Sequence, residues 1–256
     1  MSAPSALPHI SPLLLRWFVW YTRRYAAKHF HSIRVNANQS FETSGPLVVY
    51  ANHPSWWDPI VCLQLAVRLF PDRKHYAAMD TEALRRYRFF TRLGFFPAQP
   101  ASYSGARQFL TSTREILERA DSVLWVTAQG RFADVRERPL KLLPGVAHIA
   151  NAHSFTAIPL ALEYRLGTER SADAYARFGE PFSASSDLGA FESRLQRCMD
   201  ELSHDVISGA AEHYAPMLAG SAGTTAPYEL WQRLRSRLAG KSYHPEHSSV
   251  MRQGEA

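Results

Sequence analysis

The chain has 256 residues, 46% of them hydrophobic, 12% aromatic and 20% charged, which is ample for a core and too apolar for intrinsic disorder. Two cysteines, Cys62 and Cys198, are too few for a disulfide framework and suit a reducing compartment. Mean hydropathy is -0.26 and no run of 18 apolar residues occurs, which excludes a spanning helix, while a net charge of +6 points to an anionic partner without naming it.

The short apolar run Leu13 to Leu15 is broken by Arg16 and lacks a small-residue cleavage pattern, so it does not read as a secretory signal. Helical periodicity runs instead from Leu13 to Phe30. Leu14, Trp17, Phe18, Tyr21 and Tyr25 share a stripe, with Arg16 and Arg23 on the other side. Such a helix suits a membrane interface or packs its aromatic face onto the domain, and it can do both. After a polar link from Asn36 to Ser44, Gly45-Pro46 introduces Leu47 to Ala51, an apolar run that reads as a buried strand. Asp58-Pro59 reads as N-cap and first turn of a helix extending to about Phe70. A strand follows near His75 to Met79, then a basic helix from Thr81 to Leu93 carrying Arg85, Arg86, Arg88 and Arg92. Residues 105–120 form an amphipathic helix with Phe109, Thr113, Ile116, Leu117 and Ala120 inward, and Ser122 to Thr127 is a further strand. Pro144-Gly145 opens a short helix before a strand from Thr156 to Leu162. Leu188, Phe191, Leu195, Cys198, Leu202 and Val206 mark a long helix. Beyond the break at Gly220 to Ala226, Leu230, Trp231, Leu234 and Leu238 oppose Arg233, Arg235 and Arg237 in a last helix with a polar tail.

Strands alternating with helices predict an α/β fold: one domain with a central, largely parallel (mixed) sheet flanked by helices. The division expected is an amphipathic helix over 1–35, the α/β domain over 36–215, and an amphipathic helix with tail over 216–256.

His53 and Asp58 carry the chemistry. His53 follows a buried strand on a loop that ends at a helix, the place where open α/β sheets build their sites. An imidazole there can take the proton of a hydroxyl attacking an acyl carbonyl, and a carboxylate on its other nitrogen sets the tautomer and stabilises the imidazolium. Spacing alone proves little, because His75 and Asp80 repeat it and read as a strand residue followed by a helix cap. A bland reading also fits His53 and Asp58: a satisfied loop histidine and a helix cap. Neither Ser55, which lacks a G-x-S-x-G setting, nor Cys62, inside a helix, reads as a nucleophile.

The stretch Asn52-His53-Pro54-Ser55-Trp56-Trp57-Asp58 resembles the N-H-x-S-x-x-D block of the PlsC-like glycerolipid acyltransferases, which include 1-acylglycerol-3-phosphate acyltransferases. Later segments follow in the family's order. Leu93-Gly94-Phe95-Phe96-Pro97 with Ser104 to Arg107 resembles its G-x-x-F block and the helix behind it, and Leu124 to Arg131 its strand and P-E-G-T-R turn. Pro139 to Gly145 resembles the basic approach to the next helix, and Ile158-Pro159-Leu160 the late apolar block. The resemblance spans about residues 40–165. It implies a PlsC-like fold, an acyl thioester (acyl-CoA or acyl carrier protein) as donor substrate with no cofactor, and a membrane lipid as acceptor. His53 is then the general base, Asp58 its partner, and Gln129, Gly130 and Arg131 the substrate-binding turn, with no covalent acyl-enzyme. The departures concern the acceptor. Gln99 and Pro100 stand where members using phosphate-bearing acceptors carry an arginine, Gln129 replaces a glutamate, and Phe132 occupies the turn's arginine position with Arg131 one place early. Arg131, Arg136 or Arg138 could compensate. A lysophospholipid, glycolipid, ornithine-type lipid or other membrane-bound alcohol is therefore as open an acceptor as lysophosphatidate.

Secondary features admit two readings each. The arginines of 85–92 and the segment Arg136 to Lys141 either hold anionic groups or form solvated faces. Phe89, Phe90, Phe95 and Phe96 either line an acyl-chain slot or pack in the core. The histidine spacings predict no metal, and no motif supports nucleic-acid binding. The expectation is an O-acyltransferase held peripherally on the cytoplasmic side of a membrane, its oligomeric state open. The alternative is a non-catalytic, membrane-associated lipid-binding module that keeps the fold.

Overall fold

Every residue of β2 (Leu47–Ala51) is buried, because this apolar strand lies in the middle of a sheet covered on both faces. The computed structural model describes residues 7–36, 41, 44–99, 102–167, 169–220 and 235. Its other strands are β1 (Phe30–Asn36), β3 (Lys74–Asp80), β4 (Phe95–Ala98), β5 (Ser122–Thr127), β6 (Thr156–Arg165), β7 (Ala172–Phe178), β8 (Phe182–Ser183) and β9 (Ala215–Ala219). The helices are α1 (Pro12–His29), α2 (Asp58–Leu69), α3 (Thr81–Arg86), α4 (Tyr103–Leu117), α5 (Gly145–Ala152) and α6 (Leu188–Ser208). The strand order is β4-β3-β5-β2-β6-β7-β1-β9, with the short β8 paired to β6. From β4 to β6 all neighbours are parallel. β7 runs antiparallel to β6 and parallel to β1, and β9 closes antiparallel to β1. This is the expected single α/β domain with a mixed, largely parallel sheet.

Successive strand residues face opposite sides, so β2 feeds two cores. Val48 and Tyr50 join Leu124, Ile116, Phe191 and Leu195 beneath α4 and α6. Leu47, Val49 and Ala51 join Leu65, Leu160 and Phe30 beneath α1 and α2. α6 buries Phe191, Leu195, Cys198, Leu202 and Val206, the stripe read from its periodicity.

Several elements differ from the sequence reading. The N-terminal helix stops at His29, and Phe30–Asn36 crosses into the sheet, where Phe30, Ile33 and Val35 are buried. Sheet strands therefore lie on both sides of positions 35 and 215, and β1 and β9 belong to the sheet rather than to terminal helices. β7, rich in alanine, carries too weak an apolar signal to read as a strand. The basic helix breaks after Arg86 into a 3-10 stretch, Arg88–Leu93, ended by Gly94. Gly94 has φ +98, and a Cβ there would meet the His75 carbonyl oxygen at 2.2 Å, so glycine is required. α4 ends at Leu117, leaving Ala120 exposed instead of inward. The C-terminal helix over Leu230–Leu238 lies outside the described residues apart from Arg235.

α1 has two faces. Thr22 and Ala26 are buried against α2, where Gln64 donates to the Thr22 hydroxyl at 3.0 Å, and Phe18 meets Phe89 and Phe90 edge-on. Leu13, Trp17, Trp20 and Tyr21 face outward, with the Arg24 guanidinium over the Trp20 ring. The packing half of the stripe is thus rotated from the one the sequence suggested, and Trp17 and Tyr21 lie on the open side.

Candidate active site

β2 ends at Ala51, and its hydrogen-bonding role passes to a side chain. Asn52 is buried; its amide donates to the Leu162 carbonyl at 2.9 Å and accepts from the Leu162 N–H at 2.8 Å. Both backbone groups of Leu162 that face the departing strand are thereby satisfied. The chain is then free to leave the sheet with His53 at the carboxyl end of β2.

His53 Nδ1 lies 2.6 Å from Asp58 Oδ2. Asp58, at 0% exposure, also accepts from the Ser55 N–H at 3.1 Å and from the Tyr164 hydroxyl at 2.6 Å on Oδ1. Three donors converge on this carboxylate, which compensates its burial. Asp58 does not cap α2 with its side chain, as the sequence reading had it; Trp57 holds the cap position. The carboxylate is committed to His53, Ser55 and Tyr164, so the bland reading of the pair does not describe the geometry. With Nδ1 donating to Asp58, Nε2 presents its lone pair and has no hydrogen-bond partner among the described residues.

The turn after β5 is laced to this loop at three points. Ala128 N–H donates to Ala51 O, His53 N–H donates to Gln129 Oε1 at 3.0 Å, and Ala133 N–H donates to His53 O at 3.0 Å. Gln129 is brought to the backbone of His53. Gly130, at φ +66, reverses the chain. Arg131 is directed to the loop itself, paired with Glu137 and donating to the Phe132 carbonyl. Arg136 and Arg138 are likewise engaged, by Asp134 and Asp200. Phe132 stacks on the His53 ring with centroids 4.3 Å apart and planes 30° apart.

Sequence reasoning missed Tyr164 as a partner of Asp58, and it treated Phe132 only as a departure from a pattern. No local signal marks Tyr164, which reaches Asp58 from β6 across 106 positions. Burial and the Asp58 charge push the Tyr164 hydroxyl far up, keeping it a donor. The Cys62 thiol is also pushed up, by burial first and Asp58 second, which holds it protonated and a poor nucleophile. The look-alike pair behaves as a strand residue and a cap. Asp80 accepts from Glu82 and Ala83 N–H at the start of α3, while His75 bonds the Phe70 carbonyl and accepts from Trp125 Nε1. Burial lowers the His75 pKa to about 4.

An apolar cavity is lined by Asp58, Pro59, Cys62 and Leu63 of α2 and by Phe95 and Trp125, but not by His53. Of the four phenylalanines, Phe95 lines it, Phe96 is core, and Phe89 and Phe90 pack against Phe18. Among the described residues, no three His, Cys, Asp or Glu side chains are grouped to hold a metal ion. No described helix is long and apolar enough to cross a membrane.

The fold and site define an open α/β protein with a histidine–carboxylate pair at its central strand ends. The family model described as Acyltransferase matches residues 32–163, and the chain belongs to the acyltransferase family. No curated protein matches the chain. The fold is similar to the crystal structure of the 1-acyl-sn-glycerophosphate (LPA) acyltransferase PlsC from Thermotoga maritima. That likeness has a TM-score of 0.51 at 15% identity and covers 74% of this chain and 80% of the other.

Proposed function

We propose that this acyltransferase moves a fatty acyl group from a thioester, acyl-CoA or an acyl carrier protein thioester, to a hydroxyl of a membrane lipid. His53 Nε2 takes the proton of the acceptor hydroxyl as its oxygen attacks the thioester carbonyl. The tetrahedral oxyanion collapses, the C–S bond breaks, and the imidazolium returns its proton to the leaving thiolate. Ester and free thiol result without an acyl-enzyme. Asp58 holds the imidazole through Nδ1 and stabilises its charged form, and Tyr164 and Ser55 hold Asp58. The Gln129 side chain positions the base through its backbone N–H, Gly130 reverses the chain beside it, and Arg131 would meet substrate only by leaving Glu137.

The observation that carries this reading is a histidine with one ring nitrogen committed to a buried carboxylate and the other without a hydrogen-bond partner among the described residues. The cavity beside Asp58 is apolar, and at about 90 Å³ it would take only a part of an acyl chain. The outward Leu13, Trp17, Trp20 and Tyr21 of α1, set among arginines, suit peripheral attachment to an anionic membrane on its cytoplasmic side.

Purified protein given acyl-CoA or acyl carrier protein thioester and a panel of lipid alcohols tests the reaction. Mass spectrometry should find an acylated lipid, and His53→Ala should lower turnover by about 10²–10⁴ with fold and vesicle binding retained. Turnover unaffected by His53→Ala removes His53 from the mechanism. Vesicle binding with no acylated product from the unaltered protein favours a non-catalytic lipid-binding module.

A further inference from the structure

Phe132 is 58% exposed, yet its ring lies on the imidazole of His53. Its place is held by the backbone: the next residue, Ala133, donates to the His53 carbonyl, and Gln129 accepts from the His53 N–H. The ring and the imidazole are therefore held together, and a group that brings a hydroxyl to His53 comes close to an aromatic surface. Each arginine of the segment 130–138 is bound to a carboxylate: Arg131 to Glu137, Arg136 to Asp134 through Nε and Nη2, and Arg138 to Asp200. The Arg136 guanidinium holds the Asp134 carboxyl well below the ordinary range.

A phosphate monoester carries roughly -1.5 to -2 charges near neutral pH and needs charge-assisted donors when it leaves water. On an acceptor whose phosphate lies close to the reacting hydroxyl, that dianion would lie near an aromatic face, and the arginines of this segment would have to give up carboxylate partners to reach it. An uncharged glycerol or aliphatic segment would instead gain contact with the ring.

We propose that Phe132 is a specificity-determining residue of the acceptor site, selecting lipid alcohols that carry no phosphate monoester beside the reacting hydroxyl. This rests on the reading of His53 as the base for acyl transfer.

The test compares 1-oleoylglycerol with 1-oleoylglycerol 3-phosphate in the same micelles, using oleoyl-CoA or oleoyl acyl carrier protein, for the unaltered protein, Phe132→Arg, Phe132→Leu and His53→Ala. The unaltered protein should favour the phosphate-free acceptor by about tenfold or more in kcat/KM. Phe132→Arg should move that ratio toward the phosphate acceptor by about tenfold, chiefly through its KM, while Phe132→Leu keeps the original preference. Thermal unfolding should be little changed in both, since the ring is largely exposed. His53-dependent transfer with equal use of the two acceptors, with preference for the phosphate, or with a ratio unmoved by Phe132→Arg overturns the role of Phe132 alone. Absence of His53-dependent transfer to either acceptor overturns the underlying reading as well.

Discussion

Replacing Tyr164 by phenylalanine removes one hydroxyl and leaves the ring in place against Phe30, 5.9 Å away between centroids. The lost O–H donates to Asp58 Oδ1 at 2.6 Å, and Asp58 is 0% exposed, so bulk solvent does not replace it directly. A hydrogen bond to a charged group contributes about 1.5–3 kcal/mol, and an unreplaced one belongs near the top of that range. Tyr164→Phe should therefore destabilise the fold by about 2–3 kcal/mol, a fall in Tm of roughly 4–12 °C for a chain of this size. The bonds to Oδ2 from His53 Nδ1 and the Ser55 N–H survive, so the base is loosened rather than released. The expected loss in kcat is about tenfold, with KM for the thioester held, because the change touches no substrate-binding group. Asp58→Asn alone should cost about 10²–10⁴ in kcat by removing the charge that supports the imidazolium. Both changes act through one carboxylate, so Tyr164→Phe should have little further effect on turnover in the Asp58→Asn background. Calorimetry and single-turnover acyl transfer on the four proteins read both quantities. Stability within about 0.5 kcal/mol of the unaltered protein, or equal kinetic losses in both backgrounds, would refute the coupling.

Asn52→Ala leaves the N–H and C=O of Leu162 without partners and should cost about 2–5 kcal/mol, with faster hydrogen exchange at the Leu162 amide; a loss below about 1 kcal/mol contradicts the ladder-closing role. His75 titrates at about 4 when folded against an ordinary value of 6.5, so between these pH values the unfolded chain binds a proton that the folded ring refuses. Its contribution is complete above pH 6.5 and falls by up to about 3 kcal/mol as pH drops toward 4, and His75→Gln should flatten that part of the stability profile measured by urea titration. Gly94→Ala should destabilise more than Gly130→Ala in thermal melts. Both positions have positive φ, but a Cβ meets backbone at the first and only the movable Leu143 side chain at the second.

What the sequence alone determined is local. Five consecutive apolar residues made β2 a central strand, the α6 stripe marked its buried face, and the loop between β2 and α2 distinguished His53 and Asp58 from the equally spaced His75 and Asp80. Apolar periodicity and cap chemistry act over a few residues and are visible in order. Tertiary structure decided who meets whom across the sheet. Tyr164 reaches Asp58 over 106 positions, Leu162 reaches Asn52 over 110, and Gln129 reaches His53 over 76. β1, β7 and β9 exist as strands because neighbours supply their hydrogen bonds, and Arg131 turned to Glu137 while Phe132 took the place over the His53 ring. Such partnerships depend on strand order and register, and the spacing of residues along a chain carries no record of either.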